Sequence, residues 1–241
     1  MRGFRFFGGI LTVFFLLFIV FSVVFPRILA TKSPQSSLTL QTDENKKCTY
    51  LSYTLSTVEG AVVLEKEGEN IPLVYTDFSQ PTLVATGEYL AVYSYPDTTF
   101  FVIHLPSAKV NAVEANMPIS ALKLAQNGRA LAISHRQSKV CLFDREGALI
   151  LTLETQLLLC DAALSNSGKR VGILLVSEKT KAGYIAEIYR AKNGQRLASA
   201  DFQYSGFPEA YMAGGRLFLV GQKGSFGYLW YGKIHLFAKT P

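Results

Sequence analysis

The chain has 241 residues, nearly half of them apolar, and a formal net charge of +6. Three of its positive charges, Arg2, Arg5 and Arg27, flank one apolar segment, and from residue 31 onward 21 Lys and Arg face 18 Asp and Glu. That near-balance lacks the clustered basic face of a nucleic-acid binder, so no nucleic-acid partner is expected.

From Phe6 to Phe25 no residue is charged, and Gly8, Gly9, Thr12 and Ser22 alone interrupt the apolar run. A helix over residues 6–26, rising ~1.5 Å per residue, spans a ~30 Å hydrocarbon layer with its backbone satisfied internally. It has no polar face for water, which argues against a buried soluble helix. A cleaved signal peptide is the competing reading, with Ile28 and Ala30 before Thr31 as the cleavage signal. The run is longer than the ~7–15 apolar residues of such a core, which favours a signal anchor. Arg2 and Arg5 in the tail 1–5 place the N-terminus in the cytoplasm, against the opposing pull of Arg27 and Lys32. The expected location is the cell membrane, crossed once, with the C-terminal domain extracytoplasmic. Residues 27–47 read as a polar stalk containing Thr31-Lys32-Ser33-Pro34-Gln35-Ser36-Ser37.

Residues 48–241 repeat at about forty residues, the period of four-stranded propeller blades. A turn follows the first strand of each unit, at Thr86-Gly87, Asn127-Gly128, Ser167-Gly168 and Gly214-Gly215. Such turns need positive φ, which Gly and Asn tolerate. Pro81, Pro118 and Pro208 precede first strands, where no ladder donor is lost. Gly68, Gly147 and Gly194 mark the turn between the last two strands, and Pro106-Ser107-Ala108 takes that place in the intervening unit. In the unit 118–155 the strands read Ile119–Leu124, Arg129–Ser134, Lys139–Asp144 and Ala148–Glu154, the last with Leu149, Leu151 and Leu153 inward. Val171–Val176 is nearly all apolar, as a strand covered on both faces would be.

Full units cover 81–115, 118–155 and 160–203, while 48–75 and 208–237 each offer three strands. The fold class is therefore all-β: a WD40-like β-propeller of four to five blades, incomplete or open, preceded by one transmembrane helix. Either residues 48–56 pair with Lys233–Phe237 to complete the last blade, or the arc stays open, or the gene product is shortened. An open arc bares apolar rows such as Phe218 with Val220 and Ile234 with Leu236, so a protein partner or self-association at that edge is expected.

No catalytic, cofactor-binding or metal-binding constellation stands out. His104, His135 and His235 lie in different units without ligand spacing. Cys48, Cys141 and Cys160 read as separate thiols, the last two as small core residues. Gly224-Ser225-Phe226-Gly227 reads as a turn, with no helix after it to make a phosphate cradle. Aromatic residues in loops give a candidate interaction face: Phe78, Tyr95, Tyr204, Phe207 and Phe226, with Trp230 and Tyr231 near the same end of the last unit. Rings of this kind serve interfaces, and packing between blades is the alternative use.

At these residues the chain resembles WD40-like propellers of bacterial type. Ala163-Leu164-Ser165-Asn166-Ser167-Gly168-Lys169-Arg170 looks like their strand-turn-strand hallmark, while the Trp-Asp ending and Gly-His opening of true WD40 repeats are absent. The layout is similar to an uncharacterised family of single-pass membrane proteins in Gram-positive bacteria. The resemblance implies a fold and a location and carries no catalytic residue across. Two functional readings stand: a non-enzymatic extracytoplasmic binding or scaffold module, and an extracytoplasmic hydrolase of cell-envelope material using the propeller face.

Overall fold

The computed structural model describes residues 40–41, 48–50, 53–58, 61–66, 69–75, 81–177, 183–221 and 224–236, with side chains mainly from residue 81 onward. The expected tail 1–5, the expected anchor 6–26 and Phe78 lie outside the described residues.

Strands follow the repeat. Pro81 opens a sheet of β6 (Thr82–Thr86), β7 (Tyr89–Tyr93), β8 (Thr99–His104) and β9 (Lys109–Glu114). The next contains β10 (Ala121–Leu124), β11 (Ala130–Ser134), β12 (Lys139–Phe143) and β13 (Leu149–Glu154). Then come β14 (Leu159–Leu164), β15 (Arg170–Ser177), β16 (Gly183–Arg190) and β17 (Arg196–Gln203). The last sheet is β18 (Glu209–Ala213), β19 (Arg216–Gly221), β20 (Gly224–Trp230) and β21 (Lys233–Leu236). Each is an antiparallel meander in chain order, resembling a WD40 propeller blade. Earlier in the chain β2 (Cys48–Tyr50), β3 (Tyr53–Val58), β4 (Ala61–Lys66) and β5 (Glu69–Tyr75) pair in the same order. Leu40–Gln41, within the expected stalk, forms β1 and pairs with Leu83 and Thr82 of β6.

Three expectations are corrected here. Residues 48–75 and 209–236 each hold four strands rather than three, in the latter because Gly224-Ser225-Phe226-Gly227 belongs to β20 and not to a turn. Residues 48–56 do not pair with 233–237: Cys48–Tyr50 pairs with Tyr53–Leu55, and β21 pairs with β20. Leu149 is 59 % exposed, because a register shift at Leu142/Phe143 sets Leu149 opposite Phe143 and Leu151 opposite Leu142, skipping Ile150.

The core lies between neighbouring sheets, and the period of two divides each inner strand between two cores. In β11, Ala130 and Ala132 face the preceding sheet, while Leu131 and Ile133 face the following one. In β12, Cys141 and Phe143 face back and Val140 and Leu142 face forward. This is why inner strands read as unbroken apolar runs, whereas fourth strands such as β13 and β17 alternate with exposed residues. In the last sheet Leu217 and Leu219 point to β14–β17, and Phe218 points the other way, stacked on Tyr211 and tilted against Tyr228. Phe218 is fully buried and Tyr228 is 6 % exposed, whereas Leu236, of the same expected apolar rows, is 66 % exposed.

One polar contact ties two sheets, and a second network braces a single sheet from within. Asp161 accepts from the Ala210 backbone N–H at 2.8 Å, joining β14 to β18. Glu187, 6 % exposed, accepts from Arg196 at 2.7 Å, Tyr189 at 2.6 Å and Ser199 at 3.1 Å. Burial, then the Glu187 carboxylate, push the Tyr189 hydroxyl up to about 12. Glu187→Ala strands these donors and opens a gap. We expect a loss of about 1–3 kcal/mol in urea unfolding. An unchanged midpoint would show that the network is dispensable.

Candidate functional site

The two ends of the sheet stack differ chemically. One end carries the turns joining first to second and third to fourth strands. These turns need the glycines marked by the repeat: Gly87, Gly128, Gly168, Gly214 and Gly215 all have positive φ, as do Gly147 and Gly194. Ser165 caps one turn by accepting from the backbone N–H groups of Lys169 and Arg170.

Straight after such turns stands a recurring arginine. Arg129 donates to the Gly168 carbonyl of the next turn at 2.9 Å, and Arg170 donates to the Gly215 carbonyl at 2.8 Å. Arg216 holds the same place in the last sheet. Its guanidinium lies over Trp230, 4.5 Å from the ring centroid, and its buried Nε has no hydrogen-bond partner. Arg129 and Arg170 thus serve as clamps between neighbouring turns.

These clamps border a cleft of about 950 Å³ shared by three sheets. Five cations line it: Arg129, Lys169, Arg170, Arg190 and Lys192. Among the described residues no carboxylate does. Ile150, Ile188 and Leu197 give it an apolar floor, and Trp230 and Tyr231 form one wall with ring centroids 4.9 Å apart. Tyr231 is 82 % exposed. An anionic ligand with a flat apolar face suits this composition. Reading the sequence alone missed the cleft; the signal was an arginine within two residues of Gly128, Gly168 and Gly215, at Arg129, Arg170 and Arg216.

The other end carries the loops joining second to third strands and sheet to sheet. Tyr95, in the β7–β8 loop, is 62 % exposed, and Phe207, between β17 and β18, is 86 % exposed. Leu158, in the β13–β14 connection, adds 60 %. Tyr204 is instead half-buried and packs on the core between β14–β17 and β18–β21. Phe226 lies in β20, with its side chain outside the described residues. Trp230 requires correction: it ends β20 at the turn Tyr231–Gly232, so it and Tyr231 sit at the turn end, opposite Tyr95 and Phe207. The cause is strand direction, since β20 runs from one end of the blade to the other.

Nothing resembling a catalytic centre is assembled among the described residues. His104 bonds Ser107 and faces Glu88, His235 stacks on Tyr228, and the Nε2 of His135 is buried without a partner. No group of three or more His, Cys, Asp or Glu gathers among the described residues. Cys141 and Cys160 are free thiols. Burial, then the Asp161 and Glu209 carboxylates, push the Cys160 thiol up to about 11. Thiolate at pH 8 should therefore be on the order of 100-fold scarcer than for an ordinary cysteine. We expect iodoacetamide to modify Cys160 slowly in the native chain and quickly in urea; equal rates would contradict this environment.

Comparison with known proteins agrees with this architecture. Hsv2 of Kluyveromyces lactis is similar in structure, with a TM-score of 0.51 and 13 % identity over 75 % of this chain and 66 % of that one. Hsv2 of Kluyveromyces marxianus matches with a TM-score of 0.51 and 13 % identity over 75 % and 65 %. The WD40 domain of Neurospora crassa Pan2 matches with a TM-score of 0.48 and 12 % identity over 74 % and 59 %. The chain spans just under two thirds of the length of the Hsv2 chains, and at such identities the likeness shows the fold alone. No curated protein matches. Residues 35–179, more than half of the chain, match a family described as of unknown function, and the chain belongs to that family, DUF5711.

Proposed function

We propose that the protein is a membrane-anchored, extracytoplasmic binding module that holds a WD40-like propeller domain on the outer side of the cytoplasmic membrane and performs no catalysis itself. The uncharged run Phe6–Phe25 supports the anchor, and Arg2 and Arg5 support the orientation. No helix among the described residues is long and apolar enough to cross a membrane, and residues 6–26 lie outside those.

The observation that carries the binding role is the pair of exposed rings at the loop end, Tyr95 and Phe207, with Leu158. Amphipathic and aromatic side chains left bare on a rigid stack of sheets are typical anchors for a protein partner.

Protease added to intact protoplasts is expected to remove the domain and leave the anchor in the membrane. A mature N-terminus at Thr31 would overturn the anchored reading. A photo-crosslinker at position 207 should capture one discrete partner in cells, while a purified domain that hydrolyses envelope material would favour the enzyme.

A further inference from the structure

We infer that the basic cleft docks on the anionic phospholipid headgroups of the membrane that carries the chain, so that the turn end of the domain lies against the bilayer. This rests on the anchored reading above.

The first observation is charge. Five cations from three sheets converge on one cleft with no carboxylate in its lining among the described residues. Arg129 and Arg170 are held by carbonyls of the next turns, which fixes their guanidinium groups while leaving further N–H donors free. Lys169, Arg190 and Lys192 are exposed and have no acidic partner among the described residues. The loop end is mixed in sign, with Asp97, Glu154 and Glu209 beside Arg136 and Lys139.

The second observation is the wall of the cleft. Trp230 and the largely exposed Tyr231 lie beside the cations. Amphipathic rings prefer the headgroup level of a bilayer.

These observations favour a lipid surface over an acidic peptide. Strand addition by a peptide needs a free sheet edge, whereas turn residues and strand ends such as Arg129, Lys169, Gly215 and Tyr231 supply this site. Docking within one molecule needs little intrinsic affinity, because the tether supplies the effective concentration. Attraction of basic residues to an anionic leaflet acts within a Debye length of about 8 Å at physiological salt.

Trp230 is the sole tryptophan and reports on the cleft directly. The full chain is reconstituted in vesicles carrying a nitroxide on the lipid headgroup. In vesicles of mixed phosphatidylglycerol and phosphatidylcholine, Trp230 quenching is expected to exceed that in phosphatidylcholine alone by about twofold, and about 1 M salt should abolish the excess. The double variant K169E/K192E should abolish it too. Both lysines are exposed and unpaired among the described residues, so its unfolding midpoint should match that of the parent chain. Equal quenching in both lipids overturns the proposal, as does quenching that survives salt and charge reversal. A Trp230 response to soluble polyphosphate, with none to anionic vesicles, would assign the cleft to a free phosphate polymer and overturn docking. Release of the chain by alkaline carbonate defeats the anchor and docking together, whereas retention with equal quenching defeats docking alone.

Discussion

Phe100→Ala is expected to destabilise the domain by about 3–5 kcal/mol, the cost of removing a large buried ring and leaving a cavity. Phe100 is fully buried in β8, where it meets Phe143 edge to face with centroids 5.5 Å apart. Small residues of the next sheet, Ala130, Ala132 and Cys141, share the same cluster. None of them is long enough to fill the space, so little collapse offsets the loss. Against a typical total of about 5–15 kcal/mol, this is a large fraction. Urea unfolding followed by Trp230 fluorescence checks it, with the slope unchanged and the midpoint lowered. A loss below about 1 kcal/mol would mean that the sheets β6–β9 and β10–β13 do not share this core.

Gly128→Val is expected to cost about 2–4 kcal/mol, from two separate sources. The backbone there has φ +81°, a region that a β-branched residue reaches only with strain. An added Cβ would also stand 2.6 Å from the Tyr89 ring and 2.8 Å from the Cβ of Arg145. Tyr89 packs against His104, with ring centroids 5.0 Å apart, and has little room to retreat. Gly87 separates the two effects. It shares the positive φ, but an added Cβ would meet nothing nearer than 3.7 Å. Gly87→Ala should therefore show the backbone term alone, about 1 kcal/mol. Equal losses at the two positions would refute the close approach of Tyr89 to the β10–β11 turn.

The glycine spacing was enough to place four turns and the strands around them, because positive φ is a local demand that few residues meet. The nearly unbroken apolar run Val171–Val176 already implied covering sheets on both sides, since the period of two turns successive residues to opposite faces. Strand number in the first and last units was harder to read. Gly224 to Gly227 has turn composition but sits in β20, where pairing with β19 outweighs local propensity. The bulge at Leu142/Phe143 likewise exposes Leu149 by a shift that no residue type announces.

What the tertiary structure decided is the chemistry of each end. Arg129, Lys169, Arg170, Arg190 and Lys192 are spread over more than sixty residues and look like ordinary surface charges in a nearly balanced sequence. Stacking neighbouring sheets in register brings equivalent turns side by side, and so gathers residues one repeat apart into one cleft. Strand direction sends Trp230 to that end and leaves Phe207 at the other. A periodic sequence encodes its blades locally. Which side chains meet depends on the register between blades, and that register is a long-range contact.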